Sequence, residues 1–130
     1  MIENPEMTAE YTRRRREGRT ENEAVYLAGK ITGDPEYKSK FYSAARELEA
    51  AGFVVLNPAI LPSEGFAYEA YMRMSTAMLD ESAAMCFLPD WTESRGAMYE
   101  YGRAVAQGKR IFMFDEWKAA RGGDGGDAET

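Results

Sequence analysis

The sequence predicts an α/β fold built on a mostly parallel sheet. Three observations lead there. Short apolar runs recur along the chain, at Ala24–Ala28, Phe53–Leu56, Ala83–Leu88 and Arg110–Phe114. Between them lie longer segments whose apolar residues repeat at helical spacing. Glycine or proline stands at most of the junctions, so each run is closed before the next segment begins. Strands alternating with helices build a parallel sheet with right-handed crossovers.

The elements follow in order. Residues 1–22 are polar and charged with no period of either kind, and read as a flexible N-terminal arm. AVYLA, Ala24 to Ala28, is a buried first strand that leads into the turn Gly29-Lys30-Ile31-Thr32-Gly33. Asp34 and Pro35 then read as the cap and first position of a helix carrying Phe41, Ala44, Ala45, Leu48 and Ala51 on one face, with Gly52 as its stop. FVVL forms the second strand and exits at Asn57-Pro58-Ala59, and Leu61 to Gly65 is a loop. Tyr68 to Leu79 is helical, with Tyr71, Met74, Ser75 and Met78 on one face. The third strand ends at Pro89, and a helix over 94–107 precedes the fourth strand. Asp115 to Ala120 adds at most a helical turn. The α/β domain is therefore 23–120, and 121–130 (RGGDGGDAET) reads as a disordered acidic tail.

Composition narrows the chemistry. The chain has 130 residues, a size that suits one domain. It has no histidine and one cysteine, which argues against a structural zinc site and against Ser-His or Cys-His nucleophile systems. Any acid–base work falls to Asp, Glu, Tyr or Lys, and neither metal nor cofactor is expected. Cys86 has no partner for a disulfide and reads as a reduced cytoplasmic thiol. The N-terminal residues lack the apolar region of a secretory signal, and no apolar run is long enough for a membrane helix. A net charge of −6 argues against nucleic acid as partner, although Arg13 to Arg16 form a local basic run.

The residues that carry chemistry gather at one edge. Strand exits and the helix starts that follow them lie together in a parallel sheet, where open α/β sheets bind ligands. Gly29 to Gly33, Asn57, Asp90, Trp91, Ser94 to Gly96 and Glu100 all fall at such points. The turn AGKITGD is not a Walker loop: Ala24 stands where that motif needs its leading glycine, and Ile31 where it needs Ser or Thr. It is either an anion-binding turn or a plain βα connection. Trp91 either stacks on a base or covers the edge of the core. Ser94 is a good helix N-cap, and Gly96 leaves room for a ligand near the backbone. Ala97, Tyr101, Ala104, Val105 and Gly108 form the face expected against the sheet, with Glu100 flanking it and looking toward the strand ends.

The stretches VYLAGKITG (25–33), VVLNPA (54–59) and SRGAMYEYGRAVAQGK (94–109) resemble the nucleoside 2-deoxyribosyltransferase superfamily. The likeness runs from Ala24 to Phe114 and is closest to small phage and bacterial members. The resemblance implies a flavodoxin-like, Rossmann-like three-layer sandwich with a four- to five-stranded sheet, and cleavage or exchange at an N-glycosidic bond. It makes Glu100 the nucleophile and Tyr26 the group that positions it. Members acting on nucleoside 5′-monophosphates carry S-x-G-x-x-x-E, reproduced here by Ser94, Gly96 and Glu100, so a nucleotide is the expected partner, with the Gly29–Gly33 turn sharing its phosphate. A homodimer or higher homo-oligomer in the bacterial or phage-infected host cytoplasm is implied as well. Two positions depart from the pattern: Ser75 and Ala83 stand where relatives usually carry aspartates. Asp90 is then the expected proton donor, and a nucleotide-binding protein without catalysis is the alternative.

Overall fold

The computed structural model describes residues 23–126, so the N-terminal arm read over 1–22 and the last residues of the tail lie outside it. Four strands form one sheet, β1 (Ala24–Ala28), β2 (Val54–Leu56), β3 (Ala84–Phe87) and β4 (Arg110–Met113), in the order β2-β1-β3-β4. Each pairing is parallel, with Tyr26 opposite both Leu56 and Met85. The helices are α1 (Tyr37–Ala50), α2 (Tyr68–Asp80), α3 (Arg95–Ala106) and α4 (Phe114–Gly126). This is the flavodoxin-like order, whose reversal between β1 and β3 opens a crevice at the carboxyl ends of the strands.

Alternation along β1 decides which side chains face which helices. Val25 and Leu27 join Phe41, Ala44, Ala45 and Leu48 of α1 and Phe114 of α4 in one buried layer. Tyr26 and Ala28 point the other way, into a layer with Leu79 of α2 and Ala97 and Ala104 of α3. Tyr26 thus enters the α2–α3 side of the sheet because it is an even residue of a strand buried on both faces.

Three boundaries differ from the sequence reading. α1 starts at Tyr37, not at Asp34, because the Asp34 carboxylate accepts the Glu36 N–H at 2.9 Å and closes a turn ahead of the helix. On α3 the buried residues are Ala97, Glu100 and Ala104, whereas Tyr101 and Val105 are 39% and 52% exposed. Glu100 therefore does not flank the sheet-facing stripe but belongs to it. At the other end, helix α4 continues through Gly126 where a tail was expected from residue 121. Trp117, packed on Phe53, Phe112 and Phe114, anchors its first turns.

Candidate active site

The site is built on a buried carboxylate. Glu100 is 4% exposed, and the Tyr26 hydroxyl donates to its carboxylate from 3.0 Å to each oxygen. Ser75 of α2 donates to Oε2 at 2.8 Å. Strand β1 and helices α2 and α3 each supply one member, and among the described residues no cation pairs with the glutamate. Burial pushes the Glu100 carboxyl above the usual carboxylate range, while the Ser75 and Tyr26 hydrogen bonds oppose that rise. The Tyr26 phenol is held well above its ordinary value by its own burial and by the neighbouring carboxylate.

Tyr26, Ser75 and Glu100 share one cavity of about 900 Å³. Gly29, Ile31, Thr32 and Gly33 of the first turn and Ser94 and Gly96 of the α3 start are on its lining, as the sequence reading expected. Ser94 is the N-cap of α3, its Oγ accepting the Ala97 N–H at 3.0 Å. The lining also includes Tyr37, Tyr68, Tyr71, Met72 and Leu61. The wall tyrosines escaped the sequence reading, although the edge rule used elsewhere covers them: Tyr68 opens the helix that follows the second strand, so it starts at the same edge.

Other expected site residues sit elsewhere. Asp90 is not among the lining residues; its Oδ1 accepts the Lys30 N–H at 3.0 Å and its Oδ2 meets the Lys40 ammonium. Lys40 also bonds Asp34 and the Lys30 carbonyl, so it ties the first turn to the end of β3. Asp90 is a strut behind the turn, and nothing in the sequence marked Lys40 as its partner. The Lys30 ammonium reaches outward to Glu93 at 3.2 Å. Asn57 is buried and caps the short turn Pro58–Ile60 by accepting the Ala59 N–H at 2.9 Å. Trp91 lies against Phe87 and Tyr101, at ring separations of 4.5 and 5.2 Å, and so covers the core edge.

Two glycines are required for reasons of packing. A Cβ on Gly29 would lie 2.9 Å from Leu88 Cδ1 and 3.2 Å from Asp90 Oδ1, so the first turn can lie on the β3 exit only without a side chain. At Gly96, which lines the cavity, an added Cβ would also meet Met72 Sδ at 3.0 Å, so α2 packs close to the α3 start there.

The fold and site define an α/β protein with a buried, hydroxyl-bonded carboxylate on a cavity at the carboxyl edge of its sheet. The chain belongs to the family described as Domain of unknown function (DUF4406), whose model matches residues 23–113. That span contains every residue of the site and ends at the last residue of β4. A search of curated proteins found no match to this chain.

Proposed function

We propose that this protein cleaves the N-glycosidic bond of a nucleoside 5′-monophosphate, with Glu100 as the nucleophile. The observation that carries the reading is the Glu100 carboxylate at the cavity floor, held by Tyr26 at 3.0 Å and Ser75 at 2.8 Å. A carboxylate used on a sugar must stay ionised and must present one oxygen to the anomeric carbon without turning away. Both hydroxyls favour the anion, and Tyr26, reaching both oxygens, fixes the carboxylate plane. The start of α3 and the Gly29–Gly33 turn flank the same cavity. Backbone N–H groups at a helix start suit a phosphate, and Ser94, which accepts from Ala97, retains its own O–H to donate. The resemblance to the nucleoside 2-deoxyribosyltransferase superfamily supports the same assignment of roles.

The test is incubation of the purified chain with ribo- and deoxyribonucleoside 5′-monophosphates, followed by chromatography for free base. A base peak that disappears in Glu100→Gln is the expected result. Base release that survives in Glu100→Gln, or none from any nucleotide, removes the reading.

A second reading, a protein that holds a nucleotide without cleaving it, is favoured by Ser75 standing where an acid was expected and by the position of Asp90 outside the cavity. It requires thermal stabilisation by a nucleotide that is then recovered intact. Assembly into a homo-oligomer is part of the proposal. Its support is the stripe Met98, Tyr101 and Val105 on α3, exposed at 44%, 39% and 52%. A monomeric mass by light scattering would remove it.

A further inference from the structure

The cavity holds a nucleophile, yet the groups around it are poorly suited to protonating a departing base. Three carboxylates line it among the described residues: Asp34, Glu93 and Glu100. The hydrogen bond from Lys40 holds the Asp34 carboxyl below the usual range, so at neutral pH it has no proton to give. Glu93 is on the outer rim, exposed and paired with Lys30. Glu100 is committed to the sugar. The Tyr26 and Ser75 protons both point at Glu100. Of the lining tyrosines, the Tyr71 hydroxyl donates to the Pro62 carbonyl at 2.6 Å and the Tyr37 hydroxyl to Ser63 at 3.4 Å, which leaves the Tyr68 phenol as the one to test. Asp90, the acid expected from sequence, is turned into the Lys30–Lys40 strut.

Neutral purines and pyrimidines leave a sugar as anions unless they are protonated. A base already cationic at the glycosidic ring leaves as a neutral molecule and needs no acid. The rest of the cavity suits such a ring. The floor is a buried carboxylate with no cation beside it among the described residues, and a positive charge within a few ångströms would offset its desolvation. Tyr37, Tyr68 and Tyr71 line the same cavity, and their aromatic faces attract cations: Lys38 already lies 5.2 Å from the Tyr37 ring and Arg95 5.9 Å from that of Tyr68, so Tyr71 is the wall tyrosine left for a ligand among the described residues.

We infer that the substrate class is a nucleotide whose base carries a positive charge in the ring bonded to the sugar, either a pyridinium or an N-alkylated purine. This rests on the glycosidic reading given above. In the reaction the C1′–N bond breaks and its electron pair passes to the ring nitrogen, cancelling the positive charge. The Glu100 carboxylate forms an ester at C1′. Water then cleaves the ester, giving the sugar hydroxyl, the restored carboxylate and one proton released to solvent. No oxidant, metal or external acid enters the balance.

The full chain would be assayed against 7-methylguanosine 5′-monophosphate and GMP, which differ by the methyl group that confers the charge. A second pair is nicotinamide mononucleotide and its neutral dihydro form. Each rate is taken as the excess over Glu100→Gln, which removes the intrinsic lability of the charged compounds. Each cationic member is expected to exceed its neutral partner in kcat/KM by about 10²–10⁴-fold, the factor a general acid typically supplies. The profile for nicotinamide mononucleotide is expected to rise with ionisation of Glu100 and then stay level. Comparable rates on GMP and its methylated form, or a bell-shaped profile with an alkaline limb lost in Tyr68→Phe, would overturn the inference and leave the glycosidic reading intact. No Glu100-dependent base release from either cationic nucleotide would also overturn the inference, and the glycosidic reading falls with it only if the nucleoside 5′-monophosphate panel yields no free base either.

Discussion

Replacing Tyr26 with phenylalanine removes one hydroxyl from a buried layer and leaves the ring that fills it. The hydroxyl is 3.0 Å from both oxygens of Glu100, and the tyrosine is 2% exposed. A hydrogen bond to a charged group contributes roughly 1.5–3 kcal/mol, and one between neutral groups roughly 0.5–1.5 kcal/mol. Tyr26→Phe is therefore expected to cost about 1.5–3 kcal/mol at alkaline pH while Glu100 is an anion, and about 0.5–1.5 kcal/mol once the carboxyl is protonated. Glu100→Gln imitates the protonated state at every pH. In that background Tyr26→Phe should carry the smaller cost throughout, giving a coupling of about 1–1.5 kcal/mol between the two positions at pH 8.

The direction of the pH dependence is fixed by the burial of Glu100. Its folded carboxyl titrates above the ordinary 4.5, so between that value and its own the folded state binds more protons than the unfolded chain. Stability is then fully present below the ordinary value and is lost as pH rises through the folded one. Glu100→Gln should lack this loss and be more stable than the parent at neutral pH. Tyr26→Phe, by removing a donor that favours the anion, should extend the loss to higher pH. Urea denaturation of the four proteins of the cycle at pH 4 and pH 8 measures all of this. If Tyr26→Phe costs the same at both pH values and in both backgrounds, the hydroxyl does not serve the ionised carboxylate, and the role given to Tyr26 is wrong.

Three further outcomes follow from other contacts. Gly29→Ala is expected to lower stability by roughly 1–3 kcal/mol through overpacking against buried Leu88, read as an earlier urea midpoint, whereas Gly102→Ala, with nothing near its added Cβ, should not. Lys40→Met should weaken nucleotide binding with little change in turnover, because it removes the ammonium that ties the Lys30 carbonyl to Asp34 and Asp90; a matching fall in kcat would refute the strut, and Lys40→Arg should restore affinity. Cys86 is fully buried and its thiol is pushed up to about 12 by burial, so it should resist thiol reagents at pH 8 in native protein and react at once in denaturant.

The alternation of strands and helices and the edge that holds the site were legible because both depend on short-range pattern and on a general rule of parallel sheets. Tyr26 and Glu100, 74 residues apart in sequence, were paired by the family resemblance, and the structure brings their side chains to 3.0 Å. The side of α3 that meets the sheet was misjudged for a physical reason. Hydrophobicity pointed to Tyr101 and Val105, but a buried carboxylate breaks the apolar pattern, and the stripe through Ala97, Glu100 and Ala104 is the one that packs. Asp90 was misplaced for a different reason. Its position after Pro89 reads correctly as a strand exit, but which way its side chain turns depends on Lys40, whose reach across the first turn leaves no periodic trace. Ser75 was visible only as a departure from a pattern. Its hydrogen bond to Glu100 turns that departure into a part of the site.

That substitution changes what the site can do. An aspartate at position 75, 2.8 Å from a buried carboxylate, would share a proton with it, since two like charges at that separation do not both ionise. Such a pair can hold one acid and one base together. A serine cannot add charge, so the Glu100 anion is stabilised by two hydroxyl donors and remains alone in the α2–α3 layer. The free protein bears the cost of that isolation, because no cation among the described residues offsets it. A ligand that brings positive charge removes the cost on binding and discharges it as the glycosidic bond breaks. Ser75→Asp should therefore reverse the preference: cleavage of nicotinamide mononucleotide should fall, and GMP should gain a proton donor. If Ser75→Asp leaves the ratio of the two rates unchanged, the serine does not govern the choice of leaving group.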